Sequence, residues 1–194
     1  MAKSTDRKVF APLGANNHVP ETRAEHDLYC TPPIAIDLLC SVEKFDGTIW
    51  ECATGLGHLS QRLEYHGYTV ISTDLIDRGY GQGNVDFLQQ TACLGDNIIT
   101  NPPYSGSTDF IYHALKLLAP GKKLAMFLKL QFLEGKARRS LFQTYPPKTV
   151  YVSSSRIMCA KNGNFNKSDS SAVAYMWAVW WKGHKSDPVI KWIN

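Results

Sequence analysis

Asn101-Pro102-Pro103-Tyr104 directly follows the apolar run Asn97-Ile98-Ile99-Thr100, which reads as a buried strand. An Asn-Pro-Pro-aromatic tetrad at a strand end suits methylation of a planar, conjugated nitrogen. The lone pair of such an amine is delocalised, so the amine is a poor nucleophile. The Asn101 amide oxygen and the Pro102 carbonyl can each accept one N–H. Those bonds favour the pyramidal nitrogen of the transition state, which is electrostatic preorganisation by fixed acceptors. Pro102 and Pro103 stiffen the turn, and Tyr104 offers a ring for a flipped base. Taken alone, the tetrad is equally an ordinary turn after a strand.

A second group stands upstream. Ile49-Trp50-Glu51-Cys52-Ala53-Thr54-Gly55-Leu56-Gly57 reads as a buried strand breaking into a glycine turn. Ser60 to Tyr65 continues as an amphipathic helix, with Leu59 and Leu63 on one face. A further strand, Thr69 to Thr73, ends on Asp74, 19 residues beyond Gly55. That is near the spacing at which a carboxylate meets a ribose diol. Two nucleoside cofactors fit. A dinucleotide fold wants a third glycine where Ser60 stands. An acidic residue early in the turn, Glu51, suits the ammonium of S-adenosylmethionine (SAM). Glycine turn, Asp74 and tetrad, in that order, favour SAM.

With these residues in place, the chain from about Asp27 onward resembles the class I SAM-dependent amino-methyltransferases of the N6-adenine DNA type, in their small phage-like form. Tyr29-Cys30-Thr31-Pro32 resembles the Tyr-x-Thr-Pro cofactor segment, and Glu51 to Gly57 (with Ala53, Gly55 and Gly57) the SAM loop. Asp74-Leu75 resembles the ribose ligand and its neighbour. Asp86-Phe87-Leu88 resembles the acidic-aromatic motif beside the adenine ring. Asn101 to Tyr104 matches the catalytic tetrad. Cys52 stands where proline is common, and Ala53 replaces a glycine. Among the residues quoted there is no separate target-recognition domain, so no target sequence follows. The resemblance implies a Rossmann-like, mostly parallel doubly wound α/β sheet with a C-terminal antiparallel hairpin. It implies SAM as cofactor and adenine N6 in DNA as the favoured acceptor. Adenine in RNA, a protein glutamine amide, and an idle SAM or nucleic-acid binding module remain alternatives.

Composition suits one compact domain over 27–194, preceded by a polar arm over 1–26. No apolar run reaches membrane-span length and the N-terminus lacks a signal-peptide core, so a cytoplasmic, membrane-free protein is expected. Five scattered cysteines form no C-x-x-C pair, and the histidines show no ligand spacing; no metal is expected.

Charge is divided along the chain. Residues 1–100 balance to −6 and residues 101–194 to +10. Lys116, Lys122, Lys123, Lys129, Lys136, Arg138, Arg139 and Lys148 face only Glu134 across their stretch. A cationic surface beside the tetrad would attract nucleic acid; a solvated helix face is the plainer reading. Arg156, Phe165 and Lys167 belong to a polar loop over 154–172. That loop either holds a flipped base or folds back onto the surface.

The remaining expectations are elements. Helices are expected over 34–42, 109–118 and 135–145. Strands are expected over 124–128, 149–153 and 173–181, with a weak third strand in the glycine-rich stretch 76–85.

Overall fold

The structure, a computed structural model, describes residues 28–161 and 173–194. The expected arm over 1–26 and most of the loop that contains Phe165 and Lys167 lie outside the described residues.

A seven-stranded sheet forms the centre. Its strands are β2 (Ile49–Glu51), β3 (Val70–Ser72), β4 (Asn97–Thr100), β5 (Lys123–Lys129), β6 (Thr149–Ser153), β8 (Tyr175–Trp181) and β9 (Val189–Ile193). Their spatial order is β3-β2-β4-β5-β8-β6-β9. The pairs β2·β3, β2·β4, β4·β5 and β6·β9 are parallel. The reversed strand β8 pairs antiparallel with both β5 and β6, which is the expected late antiparallel pairing. A separate two-stranded ribbon joins β1 (Tyr29–Cys30) to β7 (Ala160–Lys161).

Strand alternation explains the two layers. Ile99, Ala125, Phe127, Trp177 and Val179 face one side. There they meet helices α1 (Pro33–Val42) and α2 (His58–Tyr65) through Ile36, Leu39, Leu59 and Leu63. Ile98, Leu124, Met126, Leu128, Met176, Ala178 and Trp180 face the other. They meet α3 (Ser107–Leu117) through Ile111, Ala114 and Leu115, and α4 (Arg139–Thr144) through Leu141. Because both faces are covered, β8 and the interior of β5 (Leu124 to Leu128) are continuously apolar rather than alternating. This is the expected doubly wound, Rossmann-like arrangement.

Three elements depart from expectation. The weak third strand is reduced to a single parallel bridge, Thr73 to Gln82, because the glycine-rich stretch turns instead of extending. The helix expected over 135–145 begins properly at Arg139, after one 3₁₀ turn over Lys136–Arg138. Gly135, at φ +118°, takes no part in a helix. Edge strand β9 was not foreseen.

The chain runs from β2 outward to β3, then returns across β2 to β4. The strand order therefore reverses between β2 and β4. Ligands of open α/β sheets bind at that reversal, beyond the carboxyl ends of the strands. Glu51 ends β2 and Asn101 follows β4.

Candidate active site

A cavity of about 550 Å³ opens at this point, within the range of small-molecule sites. Four segments wall it, drawn from 28–31, 51–59, 74–88 and 101–110. Tyr29, Thr31, Glu51, Ala53, Gly55, Asp74, Leu75, Asp86, Phe87, Asn101 and Pro103 all stand on its wall. Residues far apart in the chain are thus brought together, Tyr29 and Asn101 among them.

The glycine turn is organised by carboxylates. Asp74 Oδ2 accepts the Gly55 amide at 2.7 Å, and its Oδ1 accepts the Ile76 amide at 2.9 Å. Gly55 and Gly57 adopt φ of +57° and +84°, a region that suits glycine. Gly57 precedes α2, outside the cavity wall, and a β-carbon there would meet the Tyr80 ring. Glu51 is only 1% exposed. Its Oε2 accepts hydrogen bonds from the hydroxyls of Thr54, at 3.2 Å, and Ser60. Burial pushes the Glu51 carboxyl up to about 8, against the opposing pull of those bonds. Asp86 Oδ1 caps the next turn through the Leu88 amide at 2.9 Å. Phe87 is anchored beneath by Trp50, Phe110 and His113.

Asn101 is held by its nitrogen. Nδ2 donates to the Tyr29 carbonyl at 2.8 Å and to Thr31 Oγ1 at 3.0 Å. A main-chain carbonyl can only accept, so it fixes which end of the amide faces it. The other end, Oδ1, is buried and has no hydrogen-bond partner. An unsatisfied buried acceptor is costly, and this one belongs to a residue on the cavity wall. Pro102 is buried behind the wall. The Pro103 carbonyl accepts from the Gly106 amide and from Ser107 Oγ, both at 3.1 Å. Those bonds fix the tetrad against the start of α3. Pro32 lies off the wall as the extended residue before α1.

Tyr104 is not a bare stacking platform. Its ring packs on Tyr29, centroids 5.1 Å apart, and carries the Lys129 ammonium at 4.1 Å. Its hydroxyl bonds that of Tyr175 at 3.0 Å, and burial holds the phenol well above its usual range. These neighbours occupy the ring that was expected to receive a base.

The basic half divides in space. Lys122 pairs with Asp96 at 3.1 Å and Lys123 with Glu43 at 2.7 Å. Lys148 lies over the Trp181 ring. All three sit at the end of the sheet away from the cavity, because they precede β5 and β6 or open them. Charge counted along the sequence therefore overstated the field at the site. Lys136 and Arg139 are exposed and follow β5 on the cavity end. Arg138 differs. Its guanidinium donates to the carbonyls of Phe132 (2.7 Å), Gln131 (3.3 Å) and Glu134, and lies over the Phe132 ring. It braces the loop over 131–138. Arg156, exposed after β6, stands off the cavity wall.

Sequence reasoning missed Arg78. It lines the same cavity as Asp74 and Asp86, and its buried Nε has no partner. It sits in an irregular glycine-rich stretch where no periodicity marks a residue as facing inward.

No protein-family model and no curated protein matches the chain. Solved structures do. A candidate class I SAM-dependent methyltransferase from Listeria monocytogenes superposes with a TM-score of 0.58 at 14% identity, over 86% of this chain; this chain spans 66% of that one. A candidate RNA methyltransferase from Pyrococcus horikoshii gives 0.57 at 13%, over 81% of this chain and 88% of that one. The type IIG restriction endonuclease BpuSI gives 0.53 at 12%, over 84% of this chain and 26% of that one.

Proposed function

We propose that this chain, which has the fold of class I SAM-dependent methyltransferases, transfers a methyl group from SAM to a planar exocyclic nitrogen, and that the nitrogen is N6 of adenine in DNA. The observation that carries the reading is the Asn101 amide. Its nitrogen is fixed by two acceptors, its oxygen is buried without a partner, and the residue lines the cavity.

The residues present fit the cofactor. Asp74 keeps lone pairs beyond the two amides it accepts, as a ribose diol requires. Asp86 and Arg78 offer an acceptor and a donor, and Leu75, Val85 and Phe87 an apolar flank, as an adenine ring requires. Glu51 offers a carboxyl to an ammonium; in its dry setting the neutral form prevails near pH 7, and a nearby cation favours ionisation. Tyr29, Thr31 and the turn over Ala53 to Leu56 complete the site. When bound, SAM supplies an electrophilic methyl group.

Asn101 does the work on the acceptor. Its Oδ1, with the Pro102 carbonyl, accepts the N–H bonds of the planar nitrogen and favours its pyramidal form. The excess proton leaves to solvent, so no general base is required. Lys136 and Arg139 at the cavity end supply cationic surface for a phosphate backbone, and Lys129 stands beside Tyr104. For a base to stack on Tyr104, the ring must give up part of its packing on Tyr29 or Lys129.

The test is incubation of purified protein with labelled SAM and, separately, DNA and RNA, followed by nucleoside analysis. N6-methyldeoxyadenosine from DNA is the expected product. N6-methyladenosine from RNA alone moves the acceptor to RNA. Incorporation into neither, with SAM bound, overturns the nucleic-acid reading.

A further inference from the structure

Resting on that reading, we infer that Thr31 is a positioning residue for the Asn101 amide. The resemblance placed Thr31 among the cofactor contacts; the geometry gives its hydroxyl a second task. Asn101 Nδ2 carries two protons. One goes to the Tyr29 carbonyl at 2.8 Å, the other to Thr31 Oγ1 at 3.0 Å. The carbonyl sets which end of the amide faces inward. With only that bond, the side chain could still swing about its last torsion, which is broad for an amide. The second bond stops the swing and leaves Oδ1 one direction in which to accept.

The segment that supplies both acceptors is itself held. Thr31 is 3% exposed. Pro32, extended at φ −71° and ψ 147°, starts α1, and its carbonyl takes the Ala35 amide at 3.0 Å. On the other side Tyr29 and Cys30 pair with β7. The Thr31 hydroxyl is therefore pinned between a ribbon and a helix start, 70 residues from the amide it orients.

Replacing Thr31 by Val keeps the shape and removes the acceptor. A buried N–H then lacks a partner, which loosens the amide. Replacing it by Ser keeps the acceptor and drops a methyl group. Two readouts separate this role from a merely structural one. In ¹⁵N-labelled protein, the Asn101 side-chain NH₂ pair is identified by its absence from Asn101→Ala. Its exchange with solvent should quicken about tenfold or more in Thr31→Val and stay near the original rate in Thr31→Ser. In single-turnover methyl transfer to adenine-containing DNA, Thr31→Val should lose about 10–100-fold in rate, with Thr31→Ser near the parent. Affinity for S-adenosylhomocysteine, by calorimetry, should fall much less than the rate does in Thr31→Val.

Unchanged NH₂ exchange in Thr31→Val overturns the inference. So does an affinity loss as large as the rate loss, since that makes Thr31 a cofactor contact alone. If Thr31→Val does not fold, Thr31→Ala carries the same two measurements. A parent protein silent on DNA sinks the functional reading instead. The exchange measurement then still decides whether Thr31 clamps Asn101.

Discussion

Asp74 Oδ2 accepts the Gly55 amide at 2.7 Å across 19 residues of sequence. The carboxylate expected to hold the ribose therefore also ties the glycine turn to the end of β3. Asp74→Asn keeps one acceptor oxygen but turns an NH₂ towards one of the two amides. Asp74→Ala removes both acceptors. Cofactor affinity should fall in the order Asp74, Asn, Ala, with Ala losing about 1.5–3 kcal/mol for a charged acceptor. Calorimetry with S-adenosylhomocysteine checks it, and equal affinity in all three would remove Asp74 from the cofactor site.

Asn101→Ala should reduce methyl transfer by about 10²–10³-fold, the usual loss for one preorganised group. Cofactor affinity should change far less, because in the proposed mechanism the amide oxygen bonds the acceptor amine and not the cofactor. Single-turnover rates alongside binding isotherms measure both. Near-parental turnover would rule out the Asn101 mechanism.

Glu51 makes stability and cofactor binding depend on pH. Its carboxyl is pushed up to about 8 from an ordinary 4.5 by burial. Between those values the folded state holds a proton that the unfolded state does not. The contribution is fully present below the ordinary value and is lost as pH rises through about 8, a matter of a few kcal/mol. Urea titrations from pH 5 to 9 should show the protein weakening relative to Glu51→Gln as pH rises. Cofactor binding at pH 7, where an ammonium meets this carboxyl, should release a proton. Calorimetry in buffers of different ionisation enthalpy reads that release. A heat independent of buffer would place the ammonium elsewhere.

The basic residues should separate by role. Lys136→Ala with Arg139→Ala should weaken DNA binding and lower the salt slope by about 0.9 for each phosphate no longer neutralised. Arg138→Ala should instead lower stability, because three carbonyls over 131–134 lose their donor. Binding measured against salt, with thermal melts of the same variants, tells the roles apart. A slope unchanged by the first pair would reopen the glutamine-amide alternative.

What could be read without coordinates was local. The bounds of β4 and β6 follow from short apolar runs closed by turn signals, and α1 from a proline entry with apolar spacing. The Asn-Pro-Pro-Tyr tetrad and the glycine turn are contiguous motifs, so both are visible in the sequence. Relations between distant segments were not. Thr31 and Asn101 meet only because the segment of β1 reaches the residue that follows β4, and no local pattern marks that. Lys122 and Lys123 were counted as free cations because their partners, Asp96 and Glu43, belong to the acidic half. Arg78 lies in a stretch with no period. Strand β9 was missed; its Val189, Ile190 and Trp192 stay largely exposed, and Ile193 is its buried residue.

Ribbon β1·β7 lies outside the seven-stranded sheet, yet it holds an acceptor of the Asn101 amide. Scaffold and chemistry are thus divisible here. A chain trimmed to begin at α1 would retain every strand of the main sheet and both of its packed layers. It would lose both acceptors of the Asn101 amide. A relative lacking the ribbon could keep the architecture while leaving its asparagine amide free to turn.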